Sequence, residues 1–329
     1  MTSTVSVAAP DGLPEVRPGD DLAALVATAL EDLPDGLGDG DVVVVTSKVV
    51  SKAEGRVVPG TREGALAGET DRIVARRGPT TIVRTHHGLV LAAAGIDASN
   101  VEQGSVVLLP RDPDASARGL RAGLRRLTGR NVGVVVTDTA GRAWREGQTD
   151  IAIGAAGVLV AEDYAGRVDA HGNELAVTAP AVADEIAGLA ELAQGKLGGR
   201  PVAVVRGRAD LVLAPDDDGP GARALVRAEG ADLFGYGARE AVLRAVAGDP
   251  ADRHVFGVPA TDDELTAALL AVGAHATAYD GGLVVSAGPP AEVLAVLAFA
   301  HGWQVDAAVD EGADDGSGTG RLRLRPATP

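Results

Sequence analysis

Short β-branched runs alternate along the chain with longer segments in which apolar residues recur every three or four positions. The valine-rich runs at 42–45 and 132–136, and the segment 201–207, are typical of strands buried on both faces. Helical spacing of leucine, alanine and valine follows Asp20 and Asp21, and it recurs over residues 182–197. This alternation predicts an α/β fold of mixed α+β character.

The remaining segments of the first 250 residues carry weaker patterns. Residues 63–77 have the spacing of a charged amphipathic helix, with Leu66, Ile73 and Val74 facing inward. Residues 80–84 and 106–109 are predicted strands, and the polar segment 112–116 caps a helix that carries several arginines.

The pattern changes character after Pro250. Two Ala/Leu helices, at 261–272 and 290–302, are separated by a strand at 283–287, and residues 321–325 alternate as an edge strand would. A length of 329 residues is enough for one large or two ordinary domains. We predict one domain over residues 1–249 and a small α/β appendage over residues 250–329.

Composition restricts the classes of protein that fit. Hydrophobic residues make up 46% but aromatic residues only 2%, so the core is built from Ala, Val and Leu; zero cysteines exclude disulfides and thiolate metal sites. The net charge of −16 argues against nucleic-acid and anionic-membrane partners, although a local cationic pocket could still bind a small anion. No apolar run reaches bilayer length and no signal pattern begins the chain, so we expect a cytoplasmic protein.

Candidate chemistry clusters at the end of the second valine run. We expect this strand to end at Thr137, directly before Asp138 and Thr139, with Arg142 and Arg145 close behind. Carboxylate and hydroxyl oxygens suit Mg²⁺ or Mn²⁺, and arginines can bind phosphate or carboxylate groups. The alternative is that Asp138 begins a turn and the arginines are solvated.

Polar residues also follow the first valine run. Ser47, Lys48 and Lys52 come directly after residues 42–45, where hydroxyls and lysines could cradle a phosphate, although a solvated basic helix start would look the same. Neither G-x-x-x-x-G-K-[ST] nor a strand running into G-x-G-x-x-G occurs, so a bound nucleotide would use a different geometry. Residues 97–100 follow another apolar run and could equally form an Asx turn.

Six segments, taken together, resemble the coenzyme F420-0:γ-glutamyl ligase family. They share the family's order and spacing over roughly residues 10 to 245, and they are closest to the ligase half of its actinobacterial two-domain form. The segments are LPE (13–15), TSKVVSKAEGR (46–56), GIDASN (95–100), DPDAS (112–116), TDTAGRAWREGQTD (137–150) and PVAVVRG (201–207).

The resemblance implies a GTP-dependent ligase that joins L-glutamate to coenzyme F420-0 and then adds γ-linked glutamates. It also implies an unusual α/β fold, an intertwined homodimer, and the use of Mg²⁺ or Mn²⁺ with K⁺. Position by position, Asp97 and Asp138 would share one divalent cation and Thr139 would hold a second. The residues implied to contact GTP are Leu13, Pro14, Glu15, Val16, Ser47, Lys52 and Asn100.

The chemistry of amide formation also fits a ligase that uses a nucleotide. A carboxylate has no good leaving group in water, and phosphoryl transfer would convert it to an acyl phosphate that the glutamate amine can attack. The protein then mainly positions reactants and neutralises charge. Arg142 and Arg145 are our own candidates for holding substrate phosphate or carboxylate, or transition-state charge, without a family assignment.

The chain departs from the two-domain form after Pro250. About 80 residues remain, fewer than the ~100–150 of a usual domain, and they do not resemble the flavin-binding reductase that follows the ligase there. We therefore expect ligase activity without the reductase step. Two alternatives stay open: a non-catalytic protein that binds a nucleotide or an F420 precursor and recruits a partner through its C-terminal domain, and a metal-dependent hydrolase that uses the same acids.

Overall fold

The computed structural model describes residues 4–77, 79–228, 231–232, 235–309 and 321–327. They belong to two compact units, Met1–Val226 and Arg227–Pro329. The boundary predicted after residue 249 rests on the change of sequence pattern at Pro250, and it stays a prediction.

The first unit contains twelve strands and five helices within its described residues. In chain order they are β1 (Ser6–Ala8), α1 (Leu22–Glu31), β2 (Val42–Thr46), α2 (Ser47–Ala53), β3 (Val57–Pro59), α3 (Arg62–Glu69), β4 (Thr70–Arg77), β5 (Thr80–Thr85), β6 (Val90–Ala92), β7 (Ser105–Val107), α4 (Pro113–Thr128), β8 (Gly133–Gly141), β9 (Gln148–Ala156), β10 (Arg167–Val168), β11 (Glu174–Leu175), α5 (Val182–Gln194) and β12 (Val202–Arg206).

A five-stranded sheet with the order β1-β12-β2-β8-β9 forms the centre of this unit. β2 and β8 run parallel, and the other neighbouring pairs are antiparallel. Successive valines of β2 point to opposite faces: Val43 and Val45 belong to the core with α1 and α4, whereas Val42 and Val44 belong to the core with α5. Both faces are therefore covered, which explains the uninterrupted valine runs.

The long helices begin where the sequence predicts. Asp21 caps α1 by accepting a hydrogen bond from the Ala24 N–H, and Asp112 caps α4, with Pro113 in the first turn. α4 ends at Gly129, whose φ of +72° is the left-handed conformation common after a helix.

Two predictions for elements of the first unit need correction. The helix predicted over residues 63–77 ends at Glu69, and Thr70–Arg77 instead form β4, which pairs with β5 in the sheet β4-β5-β6. Cross-strand pairing satisfies this backbone, and Ile73 is exposed on it rather than inward. The strand predicted to end at Thr137 continues as β8 to Gly141, because β9 pairs with it from Val134 to Gly141.

The second unit contains three helices and four strands within its described residues. They are α6 (Ala238–Ala247), α7 (Asp262–Ala271), β13 (His275–Tyr279), β14 (Gly282–Ala287), α8 (Ala291–Ala300), β15 (Trp303–Val309) and β16 (Arg321–Pro326).

The antiparallel sheet of this unit has the order β13-β14-β16-β15. Its core joins Leu265 of α7 and Leu294 of α8 to Leu283, Leu324 and Trp303 of the sheet. From α7 onward, the element order and strand order are those of a ferredoxin-like βαββαβ unit whose first strand has moved to the end. β16 therefore pairs on both sides, and the prediction of an edge strand at 321–325 is wrong.

No helix within the described parts of the chain combines the length and the apolar character that a membrane crossing requires.

Candidate active site

A groove of about 930 Å³ opens in the first unit beside the ends of β2 and β8. These two strands are parallel, so their carboxyl ends lie at the same edge of the sheet, where open α/β sheets commonly bind ligands. The volume is within the range of small-molecule sites.

Ten of the twelve predicted site residues line this groove. They come from four separate segments of the chain: Leu13, Pro14, Glu15 and Val16; Ser47 and Lys52; Asp97 and Asn100; and Asp138 and Thr139. The structure thus brings together residues up to about 125 positions apart, although the roles assigned to them remain predictions.

Arg142 and Arg145 are placed differently. Both are exposed at the tip of the β8–β9 hairpin and neither is among the residues that line the groove. The Arg142 Nη2 donates to the Glu146 carbonyl oxygen at 2.6 Å, and Trp144 between them is 88% exposed. Within one copy of the chain, the two arginines do not join the groove.

Asp138 lies in the continuation of β8, on the face that carries Ala140 and the α4 core. Its Oδ1 accepts a hydrogen bond from the Ser47 hydroxyl at 3.1 Å, which joins the ends of the two parallel strands. Burial raises the pKa of Asp138 to about 7, and repulsion from Asp150 and Asp97 acts in the same direction. A carboxylate held beside other carboxylates in this way would be stabilised by a cation.

Residues 93–95 form a left-handed turn beside the Asp138 carboxylate. Ala93, Ala94 and Gly95 have φ values of +48°, +56° and +71°, a conformation that costs an L-residue roughly 1–2 kcal/mol. A Cβ on Gly95 would lie 3.1 Å from the Asp138 Oδ2 and 2.9 Å from a methyl of Leu109. Only glycine fits at this position without displacing a neighbour.

Asp97 follows this turn, and its backbone is fixed by β7. The Asp97 N–H donates to the Val107 carbonyl at 3.0 Å, and the Val107 N–H donates to the Asp97 carbonyl at 2.7 Å. The Asp97 side chain accepts from the Ser99 N–H and hydroxyl at 2.9 and 2.7 Å. Lys48 lies 2.5 Å from its Oδ2, and Arg62 lies 3.4 Å from its Oδ1.

These partners keep Asp97 ionised. Burial by itself would raise its pKa, but the hydrogen bonds from Lys48 and Ser99 hold the pKa well below the ordinary range. Asp97 and Asp138 therefore differ: one carboxylate is already neutralised by cations, and the other is not. Lys48, which the sequence placed near a phosphate cradle, here contacts Asp97.

A second polar cluster lies on the α5 side of the groove, and no role was predicted for most of it. Asp150 is buried at 3% exposure and accepts hydrogen bonds from the hydroxyls of Thr137 and Thr139 at 3.0 and 2.7 Å. The Lys196 Nζ donates to the Thr139 hydroxyl at 3.3 Å. Burial, and then repulsion from Asp150, raises the pKa of Glu191, and Lys196 opposes the change.

Asp150 could have been found from the sequence, but its two companions could not. A hairpin that pairs Gly141 with Gln148 places Asp150 opposite Thr139, which is the observed register. Glu191 and Lys196 reach the groove only because α5 packs on β9, and local spacing does not predict that packing.

The charges that line the groove balance each other. Five basic and five acidic side chains lie on its surface, whereas the whole chain carries a net charge of −16. Among the described residues, no group of three or more His, Cys, Asp or Glu side chains forms a metal site. A divalent cation in the groove would therefore depend on ligand oxygens as well as on protein carboxylates.

A parallel strand pair that ends in a charge-balanced, carboxylate-bearing groove is an arrangement in which α/β proteins commonly bind ligands. Comparison with known proteins gives the class of this chain, which is a ligase. Residues 12–62 and 63–207 match the family described as F420-0:gamma-glutamyl ligase, and the chain belongs to that family.

Curated relatives agree with the family match. A protein named coenzyme F420:L-glutamate ligase from Archaeoglobus fulgidus is 44% identical over 217 residues, which cover 60% of this chain and 85% of the relative. Proteins of the same name from Methanopyrus kandleri and Methanothermobacter thermautotrophicus are 42% and 36% identical. Their alignments cover 67% and 70% of this chain, and 93% and 98% of those relatives.

Proposed function

We propose that this chain is a GTP-dependent ligase that joins L-glutamate to coenzyme F420-0 and then extends the product with γ-linked glutamates. Family membership supports the ligase chemistry and the F420 substrate. One observation carries the nucleotide and cation assignments: the ten implied contact residues, distributed over four segments, line a single groove.

The groove has the electrostatics that a nucleoside triphosphate needs. Its lining is formally neutral in a chain of net charge −16, so a triphosphate does not meet the repulsion of the rest of the surface. Lys52 on α2 lines the groove beside Ser47, in the position proposed to meet phosphate. Residues 13–16 line the groove as well, and we propose that they contact the nucleoside.

Asp138 is suited to bind a divalent cation, and the resemblance assigns Asp97 to the same ion; binding there would replace the ion pairs that Asp97 makes with Lys48 and Arg62 in this structure. Asp138 carries a raised pKa because its carboxylate is buried near Asp150 and Asp97, and a cation would relieve that repulsion. Gly95 leaves open the space beside the Asp138 Oδ2 that a Cβ would fill. When bound, Mg²⁺ or Mn²⁺ would neutralise phosphate charge and orient the transferred group.

The proposed reaction has two chemical steps. An oxygen of the coenzyme F420-0 carboxylate forms a bond to the γ-phosphorus of GTP, the bond to the bridging oxygen breaks, and GDP leaves. The glutamate amine then attacks the carbonyl carbon of the acyl phosphate, loses a proton, and expels phosphate to leave the amide. The groove residues would hold the reactants in line for both steps.

Mass spectrometry of the products tests the proposal. Purified full-length protein is incubated with coenzyme F420-0, GTP, L-glutamate and Mn²⁺, and with ATP in place of GTP in a parallel reaction. We expect masses that increase by glutamate units, with GDP released in step. Tight binding of GTP and F420-0 without product would instead support the non-catalytic binding protein, and GTP hydrolysis without amide formation would support a hydrolase.

Asp138→Asn and Asp280→Asn form a matched pair for this assay. Each replaces one carboxylate by an amide, but Asp280 is exposed in the turn between β13 and β14, outside the groove. We expect Asp138→Asn to lose at least about 100-fold in turnover, equivalent to about 3 kcal/mol of transition-state stabilisation, and Asp280→Asn to retain activity. Equal activity in the two variants would refute the proposed role of Asp138.

We also propose that the active form is a homodimer, as the resemblance implies. Light scattering during size-exclusion chromatography measures the mass directly. A particle of twice the 33.0 kDa chain is expected, and a monomer that retains full activity would contradict the proposal.

A further inference from the structure

The second divalent-cation site implied at Thr139 does not fit the side chains that surround this residue. Thr139 lies in β8, opposite Asp150 of β9. Its hydroxyl donates to the Asp150 Oδ1 at 2.7 Å and accepts a hydrogen bond from the Lys196 Nζ at 3.3 Å. A cation would have to use the same hydroxyl oxygen while lying next to a positively charged ammonium group.

The direction of these two hydrogen bonds is not ambiguous. A lysine ammonium has three donors and no acceptor, so Thr139 must be the acceptor in its contact with Lys196. The single proton of the hydroxyl is then available to Asp150, which accepts it on Oδ1 and accepts the Thr137 hydroxyl on Oδ2. The contacts from the two threonine hydroxyls occupy both oxygens of the Asp150 carboxylate.

The end of α5 places Lys196 beside the groove. α5 ends at Gln194, and the next residue, Gly195, has a φ of +62° that turns the chain away from the helix axis. Lys196 and Glu191 both line the groove, and the ammonium opposes the raised pKa that burial and Asp150 impose on the Glu191 carboxyl. Lys196 therefore compensates the acidic charge on this side of the groove, as a bound cation would.

We propose that the Lys196 ammonium takes the place of the second divalent cation, so that each chain binds a single divalent ion at Asp97 and Asp138. This inference rests on the proposed function, because that function supplies the first cation. It assigns Lys196 to the Thr139 side of the groove as a fixed positive charge toward a phosphate or carboxylate of the substrates.

Counting bound Mn²⁺ tests the inference without measuring activity. The full chain is titrated with Mn²⁺ at a saturating concentration of a non-hydrolysable GTP analogue. Free Mn²⁺ is measured by electron paramagnetic resonance, and a titration of the analogue alone is subtracted. Two Mn²⁺ ions bound close together would also show the broadening that spin coupling produces.

Lys196→Gln is the informative variant, since it removes the ammonium and supplies a neutral carbonyl oxygen that can bind a metal. Arg167→Gln is the matched control: it removes the same charge from the exposed strand β10, outside the groove. Lys196 is itself exposed, and thermal midpoints of the variants check that folding is unchanged.

We expect one Mn²⁺ per chain in the wild type and in Arg167→Gln, and two in Lys196→Gln. Two ions in the wild type, or one ion in Lys196→Gln, would overturn the role of Lys196 and leave the proposed ligase function standing. No bound Mn²⁺ in the wild type would overturn the cation site at Asp97 and Asp138, and the inference with it.

Discussion

Replacing Asp138 with asparagine should make the metal-free protein more stable at alkaline pH while it removes activity. Asparagine has nearly the same shape as aspartate but cannot ionise. The wild-type carboxylate must ionise in a buried position near Asp150 and Asp97, which raises its pKa from 3.8 to about 7. The variant avoids that cost, so a residue proposed to be essential for turnover destabilises the empty site.

The sign and size of the effect follow from the two pKa values. Between pH 3.8 and about 7, folded Asp138 keeps a proton that the unfolded chain has released, so the free energy of unfolding falls as pH rises. Each unit corresponds to 1.36 kcal/mol, so the full cost is about 4 kcal/mol above pH 7. This value is an upper bound, because the carboxylate opens onto the groove.

Urea denaturation in EDTA at pH 5.5 and at pH 8 measures the difference. Far-UV circular dichroism is the appropriate signal, because Trp303 reports the second unit and Trp144 is already 88% exposed when the chain is folded. The stability advantage of Asp138→Asn should grow by about 2 kcal/mol between the two pH values. Other groups with shifted pKa values occur in both proteins, so their contributions cancel.

Two results would refute this reasoning. One is an advantage for Asp138→Asn that does not change with pH, and the other is an asparagine variant that is less stable than the wild type at pH 8. Asp280→Asn serves as the control and should show no pH-dependent difference. Addition of Mn²⁺ with a non-hydrolysable GTP analogue should reverse the order at pH 8, because the cation would stabilise only the wild-type carboxylate.

Three further variants test separate features of the first unit. Gly95→Ala should lower kcat/KM at least about tenfold, because the new Cβ would push against the Asp138 carboxylate. Gly104 has a similar positive φ but open space around it, so Gly104→Ala should lower stability without changing kcat/KM. Equal kcat/KM values in the two variants would contradict the contact between residue 95 and Asp138. Gln194→Met should raise the free energy of unfolding by about 1–3 kcal/mol, because neither polar atom of the buried Gln194 amide has a hydrogen-bond partner among the described residues. A lower free energy of unfolding in urea denaturation would contradict this expectation. Arg121→Met should lower the free energy of unfolding by about 3 kcal/mol in the same assay, because the buried Arg121 guanidinium donates to four carbonyl oxygens. Three of these carbonyls belong to residues 213–217, so proteolysis of the variant should cut residues 213–218 first. An unchanged cleavage pattern would contradict the inference that Arg121 holds this segment in place.

The sequence predicted the elements whose character is set locally. The valine runs that became β2 and β8 could be recognised because a strand covered on both faces is apolar at every position. The beginnings of α1 and α4 could be recognised because Asp21 and Asp112 cap the backbone within their own turns. Four of the groove residues could be proposed for a related reason, since Ser47, Lys52, Asp138 and Thr139 follow the valine runs; the candidates at 13–16, Asp97 and Asn100 came from the family resemblance.

Pairing between distant segments determined the elements that local sequence patterns predicted wrongly. Thr70–Arg77 carry a helical pattern, yet they form a strand because β5 is available to pair with them, and β16 is an inner strand because β14 and β15 lie on either side. The same limit applies to the site. Lys196 and Asp150 approach Thr139 only when β9 pairs with β8 and α5 packs on β9, and these contacts depend on segments distant in the chain. Sequence alone predicted a ligase and ten residues that the structure places along one groove, whereas tertiary packing decided which charge lies beside each of them.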